Sequence, residues 1–240
     1  MIDFYYWPTP NGWKVSILLE ELAIDYNTVM VNIGKGDQFK PEFLAISPNN
    51  RMPAIIDNDL EGEPVPVFES GAIMMYLAEK YQLFMPSDPI ERKQIMEWLF
   101  WQTGNQGPMM GQHSHFFNYA PGEEKHGYGR KRYEAKSIRC MAVLNKHLEH
   151  REWIVGDAYS IADMINFPWV LITKAMDLPL ADYPHLARWR QAVKERPAVQ
   201  RGVSLGKEDR RKKPPTQAER NILFGQKGRA ICSGDWSFTM

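Results

Sequence analysis

The order of strand-like and helix-like patterns in the first third of the chain is the feature that most constrains the fold. Residues 2–7 are rich in aromatics with period-two alternation, and a breaker cluster at residues 8–12 ends this strand pattern. Apolar residues at i, i+3, i+4 and i+7 then predict a helix with one buried face: Val15, Leu18, Leu19 and Leu22. A strand over Thr28–Val31 and a helix over about Gln38–Ile46 follow. The two helical crossovers predict parallel pairing of the strands.

The segments that follow complete a βαβ then ββα order. Residues 54–56 and 65–68 flank a polar stretch, which suits an antiparallel hairpin, and apolar spacing predicts a helix over Ser70–Tyr81. This order indicates an α/β thioredoxin-like N-terminal domain over residues 1–85. Nearly every periodic segment beyond Pro89 is helical, which predicts an all-α C-terminal domain over residues 88–205.

Local signals refine the helical half. Ser160–Asp163 has the form of a capping box that starts a core helix, and Pro168 predicts a kink or a shorter helix there. Past Gly206 the apolar periodicity fades into a charged, proline-containing stretch. Residues 206–240 are therefore predicted to be a solvated C-terminal extension.

Composition excludes several classes of function. Lys plus Arg number 29 and Asp plus Glu number 29, so no global field favours nucleic acid or anionic membrane as a partner. No apolar run approaches the roughly 20 residues of a membrane helix, and the first residues lack a secretory pattern. Cys140 and Cys232 stand far apart, which predicts neither a disulfide framework nor a metal site. We expect a soluble, cytoplasmic protein.

A proline precedes the third strand pattern. In Arg51-Met52-Pro53-Ala54 a cis peptide bond before the strand would leave the N–H and C=O of Met52 facing outward, where an extended peptide could pair with them. The alternative is an ordinary trans proline at a strand start, the commoner state of X–Pro bonds.

A second candidate site lies where the fourth strand pattern meets a helix. Ser70 is a natural N-cap, and the N–H groups of the first turn form a carboxylate site, while Glu69 is a counter-charge for an amino group. This junction fits the zwitterionic head of an α-amino acid. The alternative is a helix cap beside a solvated glutamate.

The turn Thr9-Pro10-Asn11-Gly12 opens the first helix, where thioredoxin-like proteins carry a reactive sulfur. No cysteine is present here. N–H, hydroxyl and amide donors at a helix N-terminus stabilise a thiolate, so a thiol brought by a ligand could be activated at this turn. The alternative is that Thr9 and Asn11 are turn and capping residues.

Taken together, these motifs resemble cytosolic glutathione transferases over residues 1–205. Within that family, the motifs resemble the nu class most specifically. This class includes bacterial glutathione-dependent disulfide reductases and a fungal nitrogen-regulation protein. It rests on residues 8–12, 46–50, 68–73, 98–102, 107–109 and 111–112. The segment Cys232–Met240 matches nothing in that pattern.

The resemblance implies glutathione as bound cosubstrate and assigns the site residues. Thr9 and Asn11 would face the glutathione sulfur as catalytic residues. The cysteinyl and glycyl portions would lie on Gln38 and the Met52 main chain beside Pro53, and the γ-glutamyl head on Glu69 and Ser70. Arg132 would reach bound glutathione across a homodimer interface; its alternative is a solvated charge among Arg130, Lys131 and Arg132.

Other candidates are weaker. Tyr5 and Tyr6 are interpreted as strand side chains. His113 and His115 could line a second-substrate pocket, but at i, i+2 they do not share a helix face, so no metal pair is expected.

Three functions stay open. The preferred hypothesis is a glutathione-dependent disulfide-bond oxidoreductase that uses bound glutathione thiolate instead of a protein cysteine. The alternatives are a detoxifying transferase acting on electrophilic small molecules, and a glutathione-binding regulator with little catalysis. The first site is common to all of them, so only the second pocket can separate them.

Overall fold

The computed structural model of this 240-residue chain describes residues 1–122, 126–211 and 213–225. Cys232 and the unmatched C-terminal stretch lie outside the described residues. The first elements are, in chain order, β1 (Ile2–Tyr6), α1 (Pro10–Leu22), β2 (Tyr26–Met30), α2 (Pro41–Leu44), β3 (Ala54–Asp57), β4 (Val65–Phe68) and α3 (Ser70–Tyr81).

These strands form one mixed sheet in the order β2-β1-β3-β4. β1 pairs parallel with β2 and antiparallel with β3, and β3 pairs antiparallel with β4. The predicted hairpin and the parallel first pair are therefore confirmed. The prediction of parallel pairing was wrong for β3, because its short connection from α2 returns the chain in the opposite direction along β1.

The second crossover differs from the single predicted helix over about residues 38–46. It is a 3-10 turn at Asp37–Phe39 followed by the one-turn α2. Lys40 between them is extended, with φ −65° and ψ 139°. Pro41 has no N–H to continue a helix but suits a first helical position, so the chain breaks before it and restarts there.

The elements described after α3 are all helical. The elements are α4 (Pro89–Trp101), a π-helical turn (Gln102–Gln106), α5 (Gly107–Asn118), α6 (Tyr128–His147), α7 (Ile161–Leu171), a 3-10 turn (Thr173–Met176), α8 (Pro184–Glu195) and α9 (Pro197–Ser204). An α/β thioredoxin-like domain followed by an all-α domain, the predicted fold class, is confirmed. Among the described helices, none combines the length and the apolar character that a membrane span requires.

The capping box at the start of α7 is present. The Asp163 carboxylate accepts the N–H of Ser160 at 3.1 Å, and the Ser160 hydroxyl accepts the N–H of Ala162 at 3.3 Å. Asp163 also accepts the indole N–H of Trp189 at 2.7 Å. Burial raises the pKa of this carboxyl to about 6, although these hydrogen bonds act in the opposite direction. Pro168 lies inside α7, which nonetheless continues to Leu171.

The described chain divides into two compact units. One contains residues 1–12, 25–73 and the described residues from 206 onward, and the other contains residues 13–24 and 74–205. The predicted ranges differ from this division because most of α1 groups with the helical unit. Ser16 donates to the carbonyl of Gly202 at 2.8 Å, and Arg196 pairs with Glu21 at 2.6 Å.

The described part of the predicted C-terminal extension, residues 206–211 and 213–225, contains regular structure. A 3-10 turn at Lys207–Asp209 and the helix α10 (Gln217–Phe224) fold within the α/β unit. The signal in the sequence is the capping box Thr216–Glu219, which both of its hydrogen bonds complete.

Candidate functional site

Four predicted site segments leave the same end of the sheet. Tyr6 pairs with Met30 at the carboxyl ends of β1 and β2, while Ala54, at the amino end of β3, pairs with Tyr5 and with Phe68 at the carboxyl end of β4. The chain at this end therefore continues into, or arrives from, the Thr9 turn, the loop to Gln38, Met52–Pro53 and Glu69–Ser70. The tertiary structure gathers these segments, which are distant in sequence, along one edge.

Thr9 lies at the start of α1 and touches a second predicted site residue. Its hydroxyl accepts the N–H of Gly12 at 3.4 Å and donates to the Met52 sulfur at 3.6 Å. Thr9 thus caps the turn, as the alternative interpretation predicted, but capping uses only a lone pair of its hydroxyl oxygen. A thioether is a weak acceptor, so the proton of Thr9 is available to a better one.

Gly12 is a structural requirement that the sequence pattern alone did not reveal. A Cβ at this position would lie 2.4 Å from the carbonyl oxygen of Trp7 and 2.9 Å from Cε of Met52. No side chain fits there without displacing backbone. This close approach is what lets the turn and the Met52 segment meet.

Asn11 is exposed in the first turn of α1. The main-chain N–H groups in the first turn of a helix point out of its amino end. The tyrosines before the turn behave as predicted strand side chains: Tyr6 is fully buried, and the Tyr5 ring lies 6.0 Å from that of Phe43. Burial, and then the charge of Asp3, raise the pKa of Tyr5.

The peptide bond between Met52 and Pro53 is cis, which confirms that prediction. Within the described residues, no hydrogen bond involves the main-chain N–H or C=O of Met52. Pro53 is buried and Met52 is half-buried. An unpaired donor and acceptor beside the end of a strand form an edge to which an extended peptide can add.

Glu69 and Ser70 join β4 to α3. Glu69 has a φ of 69° in the left-handed region, and its carbonyl accepts the N–H of Ile73 at 2.9 Å. Ser70 is thus the first residue of α3 and not its N-cap as predicted, because the Glu69 carbonyl already accepts the first hydrogen bond of the helix. The Glu69 side chain is exposed and Ser70 is buried, at 8% exposure. Left-handed non-glycine residues cluster at functional sites.

Gln38 is buried, with 3% of its surface exposed. Its side-chain N–H donates to the carbonyl of Ile33 at 3.1 Å, while its Oε1 is buried without a hydrogen-bond partner. Gln38 therefore stabilises the loop after β2, and its unpaired oxygen is the acceptor that remains for a ligand.

Arg132 lies on α6, in the helical unit, and its guanidinium donates to the Tyr128 hydroxyl at 3.3 Å. It lines a cavity of about 280 Å³ together with Lys136, Arg139, Cys140 and others. Within the described residues none of the three cations forms an ion pair. Their i, i+4, i+7 spacing was the signal that could have found this cationic face.

Of the two histidines that could line a second-substrate pocket, the structure buries His113. His113 is 1% exposed, and its Nε2 lies 2.9 Å from the carbonyl oxygen of Met176. His113 is therefore part of the helical core. His115 contacts the rings of Phe116 and Tyr119 on its own helix.

Comparison with known proteins agrees with this architecture. Residues 1–79 match the family described as Glutathione S-transferase, N-terminal domain, and residues 115–197 match Glutathione S-transferase, C-terminal domain. The chain is 48% identical to the disulfide-bond oxidoreductase YfcG of Escherichia coli over 201 residues, covering 83% of this chain and 93% of that protein.

Two solved structures are similar as well. A glutathione transferase from Burkholderia graminis with two glutathione molecules bound per subunit superposes with a TM-score of 0.81 at 43% identity, covering 86% of this chain and 88% of that one. A glutathione transferase from Pseudomonas putida with one glutathione disulfide bound per subunit gives 0.80 at 40% identity, covering 85% and 91%.

A thioredoxin-like unit without a cysteine at its first helix, followed in sequence by a helical unit, therefore defines the class. The chain belongs to the glutathione S-transferase family.

Proposed function

We propose that this protein is a glutathione-dependent disulfide-bond oxidoreductase. The observation that carries the proposal is the convergence of the Thr9 turn, the unpaired main chain of Met52 and the Glu69–Ser70 junction at one end of the sheet. Similar proteins support it, since YfcG is named a disulfide-bond oxidoreductase and the Pseudomonas relative holds glutathione disulfide.

The spacing of the strands lets glutathione reach from the Glu69–Ser70 junction to the Thr9 turn. An extended tripeptide spans about 10 Å, and β4 and β1, which precede these two segments, lie two strand spacings or about 9–10 Å apart. The γ-glutamyl head would lie at Glu69 and the N–H groups of the first turn of α3, where negative charge is favoured. The cysteinyl portion would pair with Met52 beside Pro53, and the glycyl portion would approach Gln38.

This placement brings the sulfur of glutathione to the Thr9–Asn11 turn. A free thiol with a pKa near 8.5 is only a few per cent thiolate at neutral pH. The Thr9 hydroxyl and the side-chain amide and main-chain N–H of Asn11 would stabilise the thiolate and lower its pKa. Because a thioether is a weak acceptor, the Thr9 hydroxyl loses little when its hydrogen bond is redirected from the Met52 sulfur to a thiolate.

The reaction is thiol–disulfide exchange. The thiolate held by Thr9 and Asn11 attacks one sulfur of the substrate disulfide, and the S–S bond breaks to release one thiolate, which takes a proton. A second glutathione thiolate then attacks the mixed disulfide. The products are glutathione disulfide and two substrate thiols, so two glutathione molecules are oxidised for each disulfide reduced.

A side-by-side rate measurement tests this proposal against its alternatives. Hydroxyethyl disulfide and chlorodinitrobenzene would be supplied with the same glutathione concentration. Faster disulfide reduction supports the oxidoreductase. Faster conjugation of the aryl halide supports the detoxifying transferase, and glutathione binding without either reaction supports the regulator.

We also propose that the protein is a homodimer in which Arg132 reaches glutathione bound to the partner subunit. Arg132, Lys136 and Arg139 on α6 have no ion pair within the described residues and could bind an anionic ligand, and Phe100 and Ile138 expose 68% and 41% of their surface on α4 and α6. Sedimentation showing a monomer at micromolar concentration with full glutathione affinity would refute the dimer.

Mixing two variants that are impaired at limiting glutathione concentration tests the subunit assignment of Arg132. If Arg132 acts across the interface, a mixed dimer of Arg132→Ala and Glu69→Ala subunits carries both defects in one site and leaves the other intact. Activity then returns on mixing. If Arg132 acts within its own subunit, each site keeps one defect and mixing restores nothing.

A further inference from the structure

The chain after α9 contacts the carboxyl ends of β1 and β2 and the turn that follows β1, next to the proposed glutathione site. A Cβ at Gly206, whose φ is +58°, would lie 3.2 Å from Cε of Met30, 3.5 Å from Cε1 of Tyr6 and 3.8 Å from Cγ of Pro8. Glycine at this position thus lets the C-terminal segment pass against the residue that precedes Thr9.

The same segment then reaches the loop after β2. The Arg211 guanidinium pairs with the Glu219 carboxylate at 3.1 Å, and a Cβ at Gly34 would lie 3.2 Å from both side chains. Three residues after Glu219, Ile222 Cγ2 lies 3.8 Å from the Cβ position of Gly36, where φ is +87°. The C-terminal segment therefore contacts both glycines of the loop. Its ion pair lies at Gly34 and its apolar side chain at Gly36.

The loop itself has internal order that ends at Gln38. The Asp37 carboxylate accepts the N–H of Asn32 at 2.9 Å, and the Asn32 side chain accepts the N–H of Gly34 at 3.1 Å. Gln38 donates to the carbonyl of Ile33, and its Oε1 is buried without a partner. Glycine loses more conformational entropy on ordering than other residues do, and this loop contains Gly34 and Gly36. Contacts from outside the loop therefore matter for its order.

We propose that the segment Gly206–Phe224 is a C-terminal brace that positions the loop over residues 32–38 for glutathione, with Arg211 and Ile222 as its positioning residues. The brace lowers the conformational cost of binding because the loop is already ordered when the ligand arrives. The effect on glutathione rests on the proposed function; the effect on the loop does not.

The test uses full-length variants. Arg211→Ala and Ile222→Ala each remove one contact, and Gln217→Ala on the exposed side of the same helix is the matched control. Hydrogen exchange of the unliganded protein should show amides of residues 33–39 exchanging about tenfold faster in the first two variants only. The Kd of glutathione should rise about three- to tenfold in those variants, with the Gln217 variant unchanged.

Kinetics separates positioning from loss of fold. The KM for glutathione should rise with the Kd, while kcat and the KM for the disulfide stay constant. Arg211→Lys keeps the charge beside Glu219 and should restore most of the affinity.

The brace is refuted if the loop exchanges at its original rate in both variants, or if it exchanges faster with no change in glutathione Kd. A wild-type protein that fails to bind glutathione would contradict the proposed function instead. In that case the exchange rates alone would decide whether the segment orders the loop.

Discussion

The Thr9 hydroxyl and the Met52 sulfur lie 3.6 Å apart although 43 positions separate them in the chain. This contact joins the start of α1 to the residue before the cis proline. The Thr9 hydroxyl therefore donates to a weak acceptor, the Met52 thioether. Both residues belong to segments that would surround the glutathione sulfur. The first prediction concerns the donors of this turn, Thr9 and its neighbour Asn11.

Asn11→Ala should slow disulfide reduction by about 10–100-fold, because it removes one preorganised donor to the thiolate in a partly wet site. The glutathione affinity should change little. The absorbance of bound thiolate, titrated against pH, should show its midpoint rising in Asn11→Ala and less so in Thr9→Ala. Asn58→Ala, at the opposite end of the sheet, is the control.

If the titration midpoint stays where it was in both variants, the turn only shapes the pocket. Activation of the sulfur would then come from the second glutathione, from Arg132 or from bound water.

Glu69→Ala should weaken glutathione binding by about 1.5–3 kcal/mol, the range for hydrogen bonds to charged groups. Glu69 is exposed, so we expect the lower end of this range. Calorimetry measures the change, and Glu63→Ala, exposed in the neighbouring hairpin connection, is the matched control. Equal affinities of the two variants would remove the junction from the site.

Disulfide reduction should survive replacement of both Cys140 and Cys232 by serine. Cys140 is buried in α6, and burial raises the pKa of its thiol to about 11 although Arg139 and Lys136 lower it. At neutral pH this thiol is protonated and a poor nucleophile. Loss of activity in a double variant that still binds glutathione would mean that a protein thiol does the chemistry.

Asp163 should make the stability of the protein depend on pH. Its pKa in the folded chain, about 6, exceeds its ordinary value of 3.8, so the folded state binds more protons between about pH 4 and 6. The free energy of unfolding should therefore fall as pH rises through this window, by about 3 kcal/mol at most from this group. Urea unfolding of the wild type and Asp163→Asn at several pH values measures the difference.

In Asp163→Asn this decline should be absent, although the variant also loses one acceptor for the N–H of Ser160. Parallel stability curves for the two proteins would show that the hydrogen bonds from Trp189, Ile154 and Ser160 keep the carboxylate ionised despite its burial.

Local sequence patterns predicted much of the fold. Apolar spacing predicted α1 and α3, the breaker cluster placed the turn before α1, and the Ser160–Asp163 box predicted the start of α7. These signals act over a few residues, where side-chain and backbone chemistry decide the outcome. The helix α10 carried such a signal at Thr216–Glu219 as well, but the prediction of a solvated extension rested on the charged stretch before it and did not include this helix.

Gln38 and His113 show what local reasoning could not predict. The sequence suggested both residues for ligand contact, and the structure buries both. His113 lies 2.9 Å from the carbonyl oxygen of Met176 in the helical core, whereas Gln38 donates to the carbonyl of Ile33 and keeps an unpaired Oε1. Which atoms of a polar side chain remain for a ligand depends on which carbonyls the rest of the chain brings near it.

The sequence by itself determined the fold class, the absence of a cysteine at the thioredoxin-like turn and the residue types available for a zwitterionic peptide. Only the tertiary structure decided the direction of β3, the left-handed turn at Glu69 and the meeting of Thr9 with Met52. Strand register and burial depend on pairings between residues far apart in the chain, and those pairings bring the site together at one end of the sheet.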